Sequence, residues 1–171
     1  MKHFNFCPHC GNEGLDWREG KQWFCNNCEF TYYHNSAAAV GAVLSCQDEI
    51  LLTVRKHNPC QGKLDLPGGF VDYHESLEVA LSREIREELN LLVSTQSWRY
   101  LFSYGNRYPY ADIQYYTTDS FFHLQLEDKP EIVVGDDVAE IRWMKTNQIA
   151  LEDIGLDSVR NAVEHFIKTD S

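Results

Sequence analysis

The sequence predicts an α/β domain preceded by a small module folded around a metal ion. Three observations carry this: two Cys-x-x-Cys pairs near the start, a succession of short apolar runs of β-strand texture from Ser36 onward, and two helical patterns, one after Gly69 and one near the end. With 171 residues, 43% hydrophobic and 24% charged, the chain can build one full core plus a small second unit, and it is not a disordered protein. A net charge of −11 argues against broad nucleic-acid affinity and leaves a local basic rim as the means of holding phosphates. No run approaches the ~18 apolar residues of a membrane span. The opening "MKHFNFCPHC" lacks the apolar stretch of a signal peptide, so a cytoplasmic protein without membrane contact is expected.

The first module occupies residues 1–34, and the domain 35–171. Cys7 and Cys10 form one pair, Cys25 and Cys28 the other, with fourteen residues between them. Aromatics, Gly and Asn dominate this segment, and its few aliphatic residues cannot form a core. In a reducing compartment four-thiolate metal binding is favoured over disulfides. This spacing is the signature of a zinc ribbon, whose tetrahedral Zn²⁺ replaces a hydrophobic interior and contributes folding free energy directly. Gly11, just past the first pair, suits the positive φ of such a turn. His3, His9 and His34 lie near but are superfluous beside four thiolates, and Cys46 and Cys60 read as ordinary thiols.

From Ser36 the texture changes. "SAAAVGAVLS" and "EILLTVR" read as buried strands of a hairpin turning at "CQD". In "LDLPGGFVD" Pro67 and two glycines are expected to break any regular element. Glu75 to about Leu89 is helical, with Leu81, Ile85 and Leu89 facing a core. "SWRYLFSY", "IQYYTTDSFFHLQL" and "AEIRWMK" read as strands, and Asp157 or Ser158 caps a last helix with Val159, Val163 and Phe166 inside.

The first helix carries an unusual feature. In "REIREELNL", Glu84 and Glu88 lie about 40° apart around the axis and Glu87 about 60° to the other side of Glu84, so three carboxylates face one way. Like charges at i,i+4 cost roughly 0.2–0.5 kcal/mol per pair. Solvent and salt, or a bound cation, must offset them.

Reading from Gly69, the chain runs Gly, five residues, Glu75, seven residues, Arg83-Glu84, then Ile85, Arg86, Glu87-Glu88, Leu89, Asn90, Leu91. This closely resembles the Nudix box, G-x5-E-x7-R-E-U-x-E-E-x-G-U with U apolar. Six of seven specified polar or glycine positions are kept, and Asn90 replaces the second glycine. Asn is the next residue most willing to adopt αL at a helix end, so the departure is mild.

The resemblance implies an α/β/α sandwich around a mixed sheet, and a pyrophosphohydrolase using Mg²⁺ or Mn²⁺, hard ions suited to carboxylates. It assigns Glu84, Glu87 and Glu88 to catalysis and metal binding, with backbone carbonyls near Gly68 and Gly69 as further ligands and Glu75 paired to Arg83 as structural support. A later acid, Asp137 or alternatively Glu140, completes the metal site. Arg55 and Lys63 flank the loop entering the site and are candidates for binding substrate phosphates.

A four-cysteine ribbon directly before such a domain is similar to the arrangement of NADH pyrophosphatases. Their array S-Q-P-W-P-F-P-x-S corresponds here to "SYGNRYPYA", Ser103 to Ala111, which keeps the first Ser and the pair Tyr108-Pro109 but loses the rest. Tyr104, Tyr108 and Tyr110 are candidates for stacking a base or nicotinamide ring, or serve as strand filler. The implied substrate is a nucleoside diphosphate linked to another moiety: NAD(H), ADP-ribose or an ADP-sugar. A triphosphate or RNA cap pyrophosphatase is the alternative within the class. A non-catalytic nucleotide sensor or zinc-ribbon binding module is the alternative outside it. Nucleic acid is not an expected partner, capped RNA aside. A homodimer is expected, since in relatives the ribbon often supports dimerisation.

Overall fold

A computed structural model describes residues 4–110, 113–136 and 138–169. The chain forms two compact units, Met1–Ser36 and Ala37–Ser171.

The first unit is a three-stranded antiparallel sheet of β1 (Leu15–Arg18), β2 (Gln22–Cys25) and β3 (Thr31–Tyr33), in that order. Two similar turns flank it. The Gly11 N–H donates to the Cys7 carbonyl at 2.8 Å and the Glu29 N–H to the Cys25 carbonyl at 2.9 Å, with positive φ at both Gly11 and Glu29. Each turn therefore brings its two cysteines to one side. Trp23 is buried here, packed against Trp17 with ring centroids 5.1 Å apart, and aromatics supply the little apolar interior present.

In the second unit β4 (Ala37–Cys46), β5 (Glu49–Arg55), β6 (Leu64–Asp65), β7 (Gly68–Phe70), β8 (Arg99–Tyr110), β9 (Ile113–Gln125) and β10 (Val138–Lys145) build one sheet. The order is β10-β5-β4-β9-β8, with β6 beside β5 and β7 beside β4. The β4–β9 pairing is parallel, from Ala37 opposite Thr117 to Ser45 opposite Gln125, and the other ladders are antiparallel, so the sheet is mixed. Helices α1 (Leu77–Leu89) and α2 (Asp157–Thr169) cover it. Strand alternation sorts the core into two clusters. Val40, Ala42 and Leu44 pack with Leu81, Ile85 and Leu89 of α1, while Val43, Leu52 and Phe121 pack with Val159, Val163 and Phe166 of α2.

One local expectation changes. "LDLPGGFVD" contributes the short strands β6 and β7, because Gly68, at φ 148°, allows β7 to lie against β4 where a Cβ would collide with the Val40 carbonyl. The stretch aligned with the specificity array is strand as far as Tyr110, its ladder to β9 continuing to the Tyr110–Ile113 pair. Ala111 lies outside the described residues. No helix among the described residues is long and apolar enough to cross a membrane.

Candidate functional site: an acidic helix facing a polar cleft

The helix α1 is fixed at both ends. The Ser76 hydroxyl accepts from the Val79 N–H at 3.3 Å, and Asn90 adopts αL (φ 54°, ψ 32°) with its N–H on the Arg86 carbonyl. With Leu81, Ile85 and Leu89 completely buried, rotation about the axis is set and the acidic stripe must face away from the core. Glu84 and Glu88 of that stripe line a cleft of about 490 Å³, together with Gly68, Gly69, Phe70 and Asp72.

The backbone of β7 is pressed onto these carboxylates. The Gly68 N–H donates to Glu88 Oε2 at 2.9 Å, and a Cβ at Gly69 would overlap the Glu84 carboxylate. Glycine at 69 lets the backbone approach the acids, and any larger residue there would push the Glu84 carboxylate aside. Arg83 organises the remainder. Its Nε and one terminal nitrogen donate to the two Glu75 oxygens at 2.9 Å each, and that terminal nitrogen also reaches the Phe70 carbonyl at 3.0 Å. The other terminal nitrogen meets Glu84 at 2.8 Å and Glu87 at 3.2 Å. The Glu75 pairing raises the Arg83 pKa further, and Glu75 is correspondingly lowered by Arg83. Burial raises the Glu84 carboxyl against the pull of Arg83, with Glu87 and Asp72 adding repulsion. Glu87 is half exposed and stands outside the cleft wall.

The donor set fits a hard divalent ion in type: carboxylates of Glu84 and Glu88 beside exposed backbone, with no soft ligand. Arg83 partly neutralises Glu84 and Glu87, so these two must release it to turn wholly toward an ion. The fit to zinc in the first unit is geometric. Ligand atoms of Cys7, Cys10, Cys25 and Cys28 all lie within 4.8 Å of one another, with Sγ–Sγ separations of 3.8 Å (Cys7–Cys28) and 3.7 Å (Cys10–Cys25). A tetrahedron with Zn–S of about 2.3 Å has edges of about 3.8 Å. Hydrogen bonds from the Asn12 backbone and the Asn27 side chain lower the Cys10 thiol to about 6. Against the Phe30 backbone hydrogen bond, burial and the other cysteines push Cys28 up to about 12. Four adjacent thiolates need a cation to coexist.

The other residues singled out in the sequence divide. Arg55 lines the cleft but is engaged: its guanidinium pairs with buried Asp65, donates to the Pro59 carbonyl at 2.6 Å, and lies 3.4 Å from the Tyr108 hydroxyl. Although burial lowers it, Asp65 raises the Arg55 pKa overall; for Asp65, burial drives the carboxyl up while Arg55 pulls against it. Tyr108 and Tyr110 line the cleft, Tyr108 edge-on to Phe70 at 5.6 Å. Tyr104 does not; it packs on Phe102 and Phe121. Lys63 turns to the Glu152 carbonyl at 3.1 Å and to Asp153 at 3.7 Å, away from the cleft wall, because the chain at Gly155 is tied to Leu64. Glu140 is exposed on β10 and pairs with Arg142 at 2.9 Å. Asp137 lies outside the described residues, although its neighbours border the site. The Gly135 N–H donates to the Glu88 carbonyl at 2.8 Å, and Lys56 donates to the Asp136 carbonyl at 2.7 Å.

Sequence reading missed Lys56, His57, Asp72, Asn106, Thr117 and Asp119, all of which line the cleft. The run Arg55-Lys56-His57 signalled the first two as a basic rim. Thr117 and Asp119 had a subtler signal, being polar in phase with core-facing Phe121.

The NUDIX domain family model matches residues 34–166. An ADP-ribose pyrophosphatase of Methanocaldococcus jannaschii is 32% identical over 121 residues, 71% of this chain and 69% of that protein. The NAD-capped RNA hydrolase NudC of Yersinia pestis is 33% identical over 115 residues, 67% of this chain but only 43% of that protein. Among solved structures, a NUDIX hydrolase from Nitrosomonas europaea superposes with a TM-score of 0.73 at 25% identity, covering 98% of this chain and 92% of that one. The box on α1, the mixed sheet that carries it and these matches together place the chain in the Nudix family, as a Nudix hydrolase with a four-cysteine module ahead of its domain.

Proposed function

We propose that this protein hydrolyses the pyrophosphate bond of a nucleoside diphosphate joined to a second moiety, of the ADP-ribose, ADP-sugar or NAD(H) class. A water oxygen adds to one phosphorus, the bridging P–O bond breaks, and a nucleoside monophosphate and a phosphorylated remainder leave. The observation that carries the reading is a single cleft running from the carboxylates of Glu84 and Glu88 to the aromatic edges of Phe70, Tyr108 and Tyr110. A diphosphate and an attached ring system need those two environments at once, and the volume falls within the usual range of about 300–1,000 Å³ for ligand sites.

Glu84, Glu88 and the backbone at Gly69 would hold Mg²⁺ or Mn²⁺, with Glu87 sharing a second ion or positioning the water, and Asp137 supplying a further acid. Such an ion offsets phosphate charge and lowers the pKa of a bound water. Arg83 and Glu75 keep β7 against the helix, while Arg55 and Lys56 meet the phosphates. Cys7, Cys10, Cys25 and Cys28 would hold a structural Zn²⁺. A cytoplasmic, reducing location suits four thiolates, and a homodimer is part of the same reading, checked by light scattering.

The resemblance to the ADP-ribose pyrophosphatase supports ADP-ribose as the first substrate to test. The assay, with Mg²⁺ and then Mn²⁺, is release of nucleoside monophosphate from ADP-ribose, ADP-glucose, NADH and nucleoside triphosphates, and release of nicotinamide mononucleotide from NAD-capped RNA. Preference for a diphosphate conjugate supports the proposal. Preference for triphosphates moves the enzyme to the alternative class, and binding without turnover makes it a sensor.

A further inference from the structure

Of the buried side-chain polar atoms that lack a hydrogen-bond partner among the described residues, the two in the larger unit are Thr117 Oγ1 and Asp119 Oδ1. They stand two positions apart on β9, hence on one face of the sheet, and both residues border the cleft. Thr117 is 3% exposed and Asp119 7%. A buried carboxylate oxygen or hydroxyl without a partner is costly, and the cost is recovered when a ligand supplies one.

The two buried acids of this cleft differ in their partners. Asp65 is paired with Arg55 and accepts from the Leu66 N–H. Asp119 accepts one hydrogen bond, from the Ser158 hydroxyl at 2.5 Å, and pairs with no cation among the described residues. Ser158 is buried in the first turn of α2, so it holds one carboxylate oxygen and leaves the other as an acceptor. Leu156, Val159 and Phe121 add apolar surface to the same cleft. The free carboxylate oxygen of Asp119 is a hydrogen-bond acceptor. A ring bearing an amino group matches it, and a ring with a keto oxygen at the same place meets it acceptor to acceptor.

We propose that Asp119, held by Ser158 and flanked by Thr117, reads the base of the substrate and selects a 6-aminopurine over its 6-keto counterpart. Here the Thr117 hydroxyl donates to the neighbouring ring nitrogen. The inference rests on the adenine-nucleotide reading above and adds to it the residues that tell adenine from its 6-keto counterpart. A site built to hydrogen-bond an amino group discriminates strongly against a ring without it, because its own polar groups are then left unpaired.

The test is equilibrium binding of AMP and IMP to the full chain by calorimetry in Mg²⁺ buffer, with wild type and Asp119→Asn. Wild type should prefer AMP by about ten- to a hundredfold. In Asp119→Asn the amide oxygen stays on Ser158 and the NH₂ faces the ring, so the preference should fall below about threefold or reverse. A ratio of affinities does not depend on how much of the variant is folded, and Ser158→Ala, which keeps the carboxylate, should retain the preference for AMP. Equal binding by wild type, no binding of either nucleotide, or an unchanged ratio in Asp119→Asn would overturn the proposal. Turnover of ADP-ribose is followed separately. Hydrolysis without base discrimination removes the inference and keeps the function, whereas discrimination without hydrolysis does the reverse.

Discussion

Replacing Gly68 with alanine tests whether the contact between β7 and the acidic helix is as tight as the structure requires. Two effects add. At φ 148° an L-residue is strained, by about 1–3 kcal/mol. The new Cβ would also overlap the Val40 carbonyl and approach the Gly41 Cα to 2.8 Å, both backbone, so β7 must move off β4. That movement breaks the pairing of Gly68 with Gly41 and withdraws the Gly68 N–H from Glu88, a hydrogen bond to a charged acceptor worth about 1.5–3 kcal/mol. The combined loss is about 3–5 kcal/mol. For a domain of this size each kcal/mol shifts Tm by about 2–4 °C, so Gly68→Ala should melt about 6–20 °C below wild type. Gly62→Ala is the matched control, because Gly62 also has positive φ, 80°, but nothing lies within 4 Å of an added Cβ. It should lose only about 1–2 kcal/mol. Thermal melts followed by circular dichroism decide the matter. If the two variants melt within 2 °C of each other, the steric argument is wrong and β7 is free to adjust.

Other outcomes follow from the same geometry. Glu88→Gln keeps an acceptor for the Gly68 N–H but removes the charge, so turnover should fall at least about a hundredfold with Tm little changed; near-normal activity would disprove the metal-site assignment. Arg55→Met leaves Asp65 buried and unpaired, costing about 3–5 kcal/mol at pH 7. Since burial puts the folded pKa of that acid above its unfolded value near 3.9, the penalty sets in as pH rises through that interval, and the deficit in urea unfolding should shrink toward pH 4. An equal deficit at both pH values would contradict it. Full-length protein should contain one Zn²⁺ per chain by mass spectrometry under native conditions, and Cys10→Ser should abolish it and alter the Trp17 and Trp23 fluorescence. Lys63→Ala should leave KM within about twofold, while Lys56→Ala, on the cleft wall, should raise it about tenfold if it meets a phosphate; equal effects would show that Lys63 swings into the site.

Legibility in the sequence followed the range of the interactions. Local chemistry was readable: Cys-x-x-Cys spacing gave the four-thiol cluster, Asn90 its left-handed cap, and the 3.6-residue period the buried face of α1. The box placed Glu84 and Glu88 together because both sit on one helix. What escaped depends on pairing between distant segments. That "PGGF" becomes a strand is decided by β4, nearly thirty residues earlier. Lys63 was a candidate in the sequence and Lys56 was not, yet Glu152 holds the first away from the cleft and the carbonyl of Asp136 holds the second beside it. Tyr104 and Tyr108 differ in the same way: four residues apart on β8 they share a face, and it is the partner rings, Phe102 and Phe121 for one and Phe70 for the other, that separate the core tyrosine from the cleft tyrosine.

The parallel pairing of β4 with β9 also bears on how the chain reaches its native state. During synthesis β4 emerges early, and β5, β7 and α1 can assemble on it from nearby sequence. The partner for Ala37 is Thr117, roughly eighty residues later, and closing so long a loop makes such pairings slow to form. Until β9 arrives, one edge of the most apolar strand in the domain is open to other chains. The acidic helix therefore takes shape before the opposite wall of the cleft, and substitutions that weaken β9 should show first as aggregation of newly made protein rather than as a lower affinity of the folded enzyme.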